Sequence, residues 1–105
     1  YIALNGTPEA LSAAGSTAAV SVTSSITHIT STAATTGGNA LTLADGVQGQ
    51  IKIITMIADA GDVQVDPANF ANGSSITFQD VGDTVTLLFT NSNWVATSNL
   101  STLIA

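Results

Sequence analysis

Between residues 41 and 94 every apolar run is cut short by Asp, Asn or Gly before it reaches the length of a core helix. The runs are 41–43, 50–58, 63–65, 76–78, 84–90 and 94–96. The interruptions fall at Asp45-Gly46, 59–62, Asn72-Gly73, 80–83 and 91–93. Asp, Asn and Gly favour turns because they bond their own backbone or accept a positive φ. Short apolar runs between such turns read as strands joined by hairpins. The expectation is an all-β chain, an antiparallel β-sandwich or a barrel-like domain. Two segments, from Thr42 and from Thr77, share one order: short strand, Asp-containing turn, Gly, long apolar strand. They fit a weak internal repeat or simply the common pattern of tight hairpins.

The two long strands raise a question of faces. In 50–58, Ile51, Ile53, Thr55 and Ile57 share one side, and Lys52, Ile54, Met56 and Ala58 the other. In 84–90, Val85, Leu87 and Phe89 lie opposite Thr86 and Leu88. One face lines the core. The second is too apolar around Ile54, Met56 and Leu88 for free water. Either it is covered within the monomer or it meets another subunit. A domain of 105 residues has a modest core, and oligomerisation is a usual support for one. Ile54, Met56 and Leu88 are therefore candidates for a subunit interface.

Residues 1–16 differ in character. Asn5-Gly6 is a turn signal, and Thr7-Pro8 reads as an N-cap followed by proline at the first helical position. Residues 9–14 then suit a short helical turn stopped by Gly15. This segment reads as an N-terminal arm that orders against its own domain, a sister subunit or a larger assembly. Residues 17–105 form the β-domain.

Charge is scarce at 8%, against about 25% in typical domains. The balance is net −6, with Lys52 the only Lys or Arg. One lysine cannot neutralise a run of phosphates, so nucleic acid is not an expected partner. Anionic membrane surfaces are disfavoured for the same reason. The absence of Cys excludes disulfides and thiolate chemistry. No run is long and apolar enough to span a bilayer, and no signal-peptide pattern is visible.

Chemistry-bearing residues are few. His28 could be imagined with Ser24 or Ser25, but a triad also needs a placed acid and an oxyanion hole. It reads better as a strand residue among threonines, and no enzyme is expected. Asp59 and Asp62 are the best pair for a calcium ion, which needs six to eight converging oxygens. Turn chemistry explains them equally well, and no cofactor is expected. Trp94 could stack on a sugar, or plug the core as tryptophan more often does.

Leu43-Ala44-Asp45-Gly46, Gly49-Gln50-x-Lys52, Asp59-x-Gly61-Asp62, Pro67-Ala68-Asn69, Ser75-Ile76-Thr77-Phe78, Val81-Gly82-Asp83 and the end of the stretch at 87–94 carry a resemblance. Together they resemble a small β-domain of virion structural proteins from tailed phages, especially marine ones. The likeness covers roughly the last four-fifths of the chain. It implies a capsid decoration (cement) protein, or a head- or tail-fibre domain, and commonly a homotrimer. The implied partner is the major capsid protein, and the implied location is the capsid surface of the virion. A capsid anchor would lie outside the β-domain, which points to Tyr1, Ile2, Leu4 and Leu11 of the arm. The alternative is a fibre-tip module binding a host glycan through the loop 66–74, with Trp94 or a metal.

Overall fold

Strict alternation of burial marks the strands. In Ile51–Ala58, Lys52, Ile54 and Met56 are fully buried while Ile51 and Ile57 are exposed, so one face turns inward and the other outward. The computed structural model describes Leu4 and residues 6–105. Among them the chain forms ten strands: β1 (Glu9–Ala14), β2 (Ala19–Val20), β3 (Ile26–Ala33), β4 (Leu41–Leu43), β5 (Ile51–Ala58), β6 (Val63–Pro67), β7 (Ile76–Phe78), β8 (Thr84–Thr90), β9 (Asn93–Leu100) and β10 (Leu103–Ile104). They make two five-stranded sheets, β1-β3-β5-β8-β9 and β10-β7-β6-β4-β2.

The all-β expectation holds, as a sandwich rather than a closed barrel. The purely antiparallel arrangement does not. β1, β3 and β5 are parallel neighbours in the first sheet, and β2, β4 and β6 are parallel neighbours in the second. The chain therefore winds from one sheet to the other and back through its first six strands. Antiparallel pairing begins where β7 turns back on β6, and where β8 and β9 complete the first sheet. The turns at 45–50, 59–62 and 79–83 cross between sheets and do not close hairpins within one. The hairpin β8–β9 closes tightly through Asn91 and Ser92, both at positive φ (51° and 61°) as a two-residue turn requires.

The two inner faces meet over one core. Ile29, Ile54, Met56, Leu87 and Trp94 from the first sheet pack with Leu41, Leu43, Val65, Ile76 and Phe78 from the second. Trp94 is fully buried, donates its indole N–H to the carbonyl of Ala44 at 2.9 Å, and stands edge-on to Phe89 with ring centroids 5.1 Å apart. A buried indole must place its donor, and Ala44 supplies the acceptor. Gly46 lies against the same ring: a Cβ there would come within 2.8 Å of Trp94 Cζ2.

The free side of β9 is partly covered. Trp94 N–H donates to Asn69 O at 2.9 Å, Ala71 N–H to Trp94 O at 2.9 Å, and Ala96 N–H to the Asn72 side chain at 2.8 Å. The loop 68–72 thus occupies backbone groups that would otherwise invite another strand.

The expected helical turn at 9–14 is instead β1, paired in parallel with β3 from Glu9 opposite Thr27 to Ala13 opposite Ser31. Glu, Ala and Leu are good helix formers, but intrinsic propensity is a small term and tertiary pairing overrides it here. β1 is an edge strand of the sandwich and not part of a separate arm.

Candidate functional site

Two features of the sequence carry chemistry into the fold: the lone lysine and the outer face of the first sheet. Lys52 projects inward from β5 beside Ile54 and is fully buried. Its Nζ donates to Ser24 O at 2.7 Å and to Thr27 Oγ1 at 2.6 Å. The Thr27 hydroxyl donates in turn to Glu9 Oε1 at 2.8 Å, and the same oxygen accepts the Ser21 N–H at 3.0 Å. The network ties β1, the connection 21–25, β3 and β5 together at one end of the sandwich. Beside it Gln50 Nε2 donates to Val22 O at 2.6 Å, and Ile53 N–H to Ser25 O at 2.9 Å. Burial lowers the pKa of Lys52, and the negative charge of Glu9 opposes that shift. Closed off from water, with its amine hydrogen-bonded to protein oxygens, Lys52 clamps these segments together. The sequence held a signal for this: Lys52 shares its strand face with Ile54 and Met56.

The outer face of the first sheet is built from the other parity. Ile51 on β5 stands opposite Leu88 on β8, which stands opposite Val95 on β9. Ile26 on β3 stands beside Ile53 on β5. Ile51 is 45% exposed, and the other four are half-buried. Around this band the face carries mostly threonine, serine and alanine with the exposed Ile57, and includes a hydroxyl pair between Thr55 and Thr84 at 3.0 Å; among the described residues His28 is its single titratable group. None of the chain's seven acids lies on it. Glu9 turns inward, Asp66 is on the outer face of the second sheet, and Asp45, Asp59, Asp62, Asp80 and Asp83 are in the turns.

The expected site residues divide. Ile54 and Met56 are fully buried in the monomer core, so they are not a subunit interface. Of the two apolar faces of β5, the one bearing Lys52, Ile54 and Met56 is the inner one. Leu88 does lie on the outer face. Leu11 packs against the core and is not free to act as an anchor. Leu4 is half-buried outside any strand, and Tyr1 and Ile2 lie outside the described residues.

The aspartates are used by the turns. Asp59 Oδ1 accepts the Gly61 N–H at 3.0 Å. Asp83 Oδ2 accepts the N–H groups of Gln79 at 2.9 Å and Asp80 at 3.1 Å. Asp45 holds the Asn69 amide through both oxygens at 2.9 Å. Among the described residues no three His, Cys, Asp or Glu side chains converge as a metal site would require, and no pocket opens in the surface. Trp94, the residue that would stack on a sugar, is in the core.

No family model matches the chain, and neither the curated proteins nor the solved structures contain a match to it.

Proposed function

We propose that the chain is a virion structural domain of a tailed phage, a decoration protein that binds the major capsid protein on the assembled head shell as a homotrimer. The observation that carries this reading is the division of its surface. In a chain of net −6, the outer face of one sheet bears aliphatic and threonine side chains and no acid. Such a face suits burial against protein. The sequence resemblance supplies the virion context. A protein of this kind stabilises a shell by mass action, because it binds the assembled form and not dissociated subunits. Since β1 belongs to the sandwich, the shell anchor falls to the residues before it, with Tyr1, Ile2 and Leu4 as contacts.

The test is co-sedimentation with undecorated heads, using the full chain and a chain lacking residues 1–6. The full chain should pellet with the heads and raise their melting temperature. The shortened chain should keep its β-type circular dichroism and lose binding. A full chain that stays in the supernatant at every concentration would count against the decoration role.

A further inference from the structure

We infer that copies of this chain assemble through the outer face of the β1-β3-β5-β8-β9 sheet, with the band Ile51–Leu88–Val95 and the pair Ile26–Ile53 at the centre of the contact. The inference rests on the assembled form proposed above and names the surface that builds it.

The register lines these five side chains into one patch. Ile51, Leu88 and Val95 form a row across three strands, and Ile53 lies two residues further along β5 on the same side, next to Ile26. Ile and Val, and the threonines around them, are β-branched and already held near one χ1. They lose little conformational entropy when a partner covers them, unlike the lysines and glutamates of an ordinary surface. The patch is therefore inexpensive to bury and gains the usual return for apolar area removed from water.

Charge selects the occupant. Three of the acids, Asp59, Asp62 and Asp80, are exposed in turns at the far end of β5 and the near end of β8, and Asp45 is exposed at the opposite end. Asp66 lies on the outer face of the second sheet. Two copies that met through those surfaces would bring carboxylates together. The acid-free face is where chains of net −6 can meet without that repulsion. An uncharged aliphatic face turned toward a threefold axis meets the same face of the other copies, as the trimer proposed above requires, whereas a basic partner would find nothing on it to pair with. The occupant is a second copy of this chain.

The experiment is light scattering after size exclusion, on wild type, Ile51→Glu, Leu88→Glu and Thr42→Glu. Thr42 is exposed on the outer face of the other sheet and serves as the control. Wild type and Thr42→Glu should run at the same multiple of the 10.5 kDa chain mass. Ile51→Glu and Leu88→Glu should fall to the monomer mass with their β-type spectrum intact. If Leu88→Glu does not fold, the more exposed Ile51→Glu decides. A monomeric wild type at its highest soluble concentration, or an Ile51→Glu protein that keeps the wild-type mass, overturns the inference. Head binding is read separately. An assembled protein that ignores heads leaves this surface standing and removes the decoration role; a monomer that binds heads does the reverse.

Discussion

The ammonium of Lys52 lies 2.6 Å from the hydroxyl of Thr27, and both side chains are closed off from water. That hydroxyl hands the interaction on to Glu9, so the single lysine and the first carboxylate of the chain are joined through one oxygen. Three strands and a connection meet there. The pairing explains how an edge strand whose outer side carries only small residues, Ala10, Ser12 and Ala14, is held in place.

Replacing Lys52 with methionine keeps the volume and removes the donors. Ser24 O loses its partner, and the Glu9 charge loses its counter-charge. Lys52→Met should destabilise by about 2–3 kcal/mol, the cost of leaving a buried polar group unmatched. The urea midpoint at unchanged slope measures it. A variant as stable as wild type would show that the network contributes nothing net.

The same lysine sets a pH dependence. Its pKa is lowered in the fold by burial, partly countered by Glu9, relative to the value of 10.5 for a free lysine. Between the lowered value and the free value the unfolded chain holds more protons than the folded one. Stability from this residue therefore rises with pH across that window and levels off above it. Denaturation from neutral pH to about 10.5, wild type minus Lys52→Met, isolates the contribution. The difference should climb with pH; a flat difference would mean that Lys52 is solvated, and a falling one that Glu9 outweighs burial.

Gly61 turns the chain from β5 to β6 at φ 153°, and its carbonyl accepts the Ser31 hydroxyl at 2.7 Å. A Cβ there would meet Ala34 N, and would come within 2.8 Å of Ala34 Cα and 2.9 Å of Ala33 C. Backbone cannot swing aside as a side-chain tip can. Gly61→Ala should cost about 2–4 kcal/mol, seen as a lower melting temperature. The neighbouring exposed Ala60→Ser should leave it unchanged.

Deleting residues 1–14 removes β1 and Glu9 together. The remaining chain exposes one side of β3 and leaves Lys52 without its carboxylate. It should lose cooperative unfolding or melt far below wild type in calorimetry, whereas deletion of residues 1–6 should be close to neutral. Equal stability of the two truncated chains would show β1 to be dispensable.

Strand positions were legible where turn chemistry was explicit. Leu41–Leu43, Ile76–Phe78 and Thr84–Thr90 fall where alternation and flanking Asp or Gly put them. So does the turn at Asn91-Ser92. The route of the chain was not legible. A turn such as Asp59-Ala60-Gly61-Asp62 reverses direction equally well within a sheet or across the core, because its local hydrogen bonds are the same in both. The two similar segments from Thr42 and Thr77 do share a design: each leads a three-residue strand of the second sheet into a long strand of the first. The face of β5 was misread for a related reason. Its two sides are almost equally aliphatic, and the residue that should have marked the wet side, Lys52, is buried by partners distant in sequence. The side of β5 that faces outward is therefore that of Ile51 and Ile53, not that of Ile54 and Met56.

The winding of the first six strands also sets how the protein comes to be folded. No strand from β1 to β5 finds a sheet neighbour in the strand that follows it, since that strand belongs to the opposite layer. Glu9 waits 18 residues for Thr27, and Ala44 waits 50 for the indole that closes over it. Closing such loops costs entropy before any contact repays it, so chains rich in them fold slowly. The pairs β6–β7 and β8–β9 are the exceptions, and β8–β9 closes through the shorter turn. A folding order that starts from the local pairs β8–β9 and β6–β7 and adds β5, β3 and β1 afterwards meets that entropy cost with partners already in place.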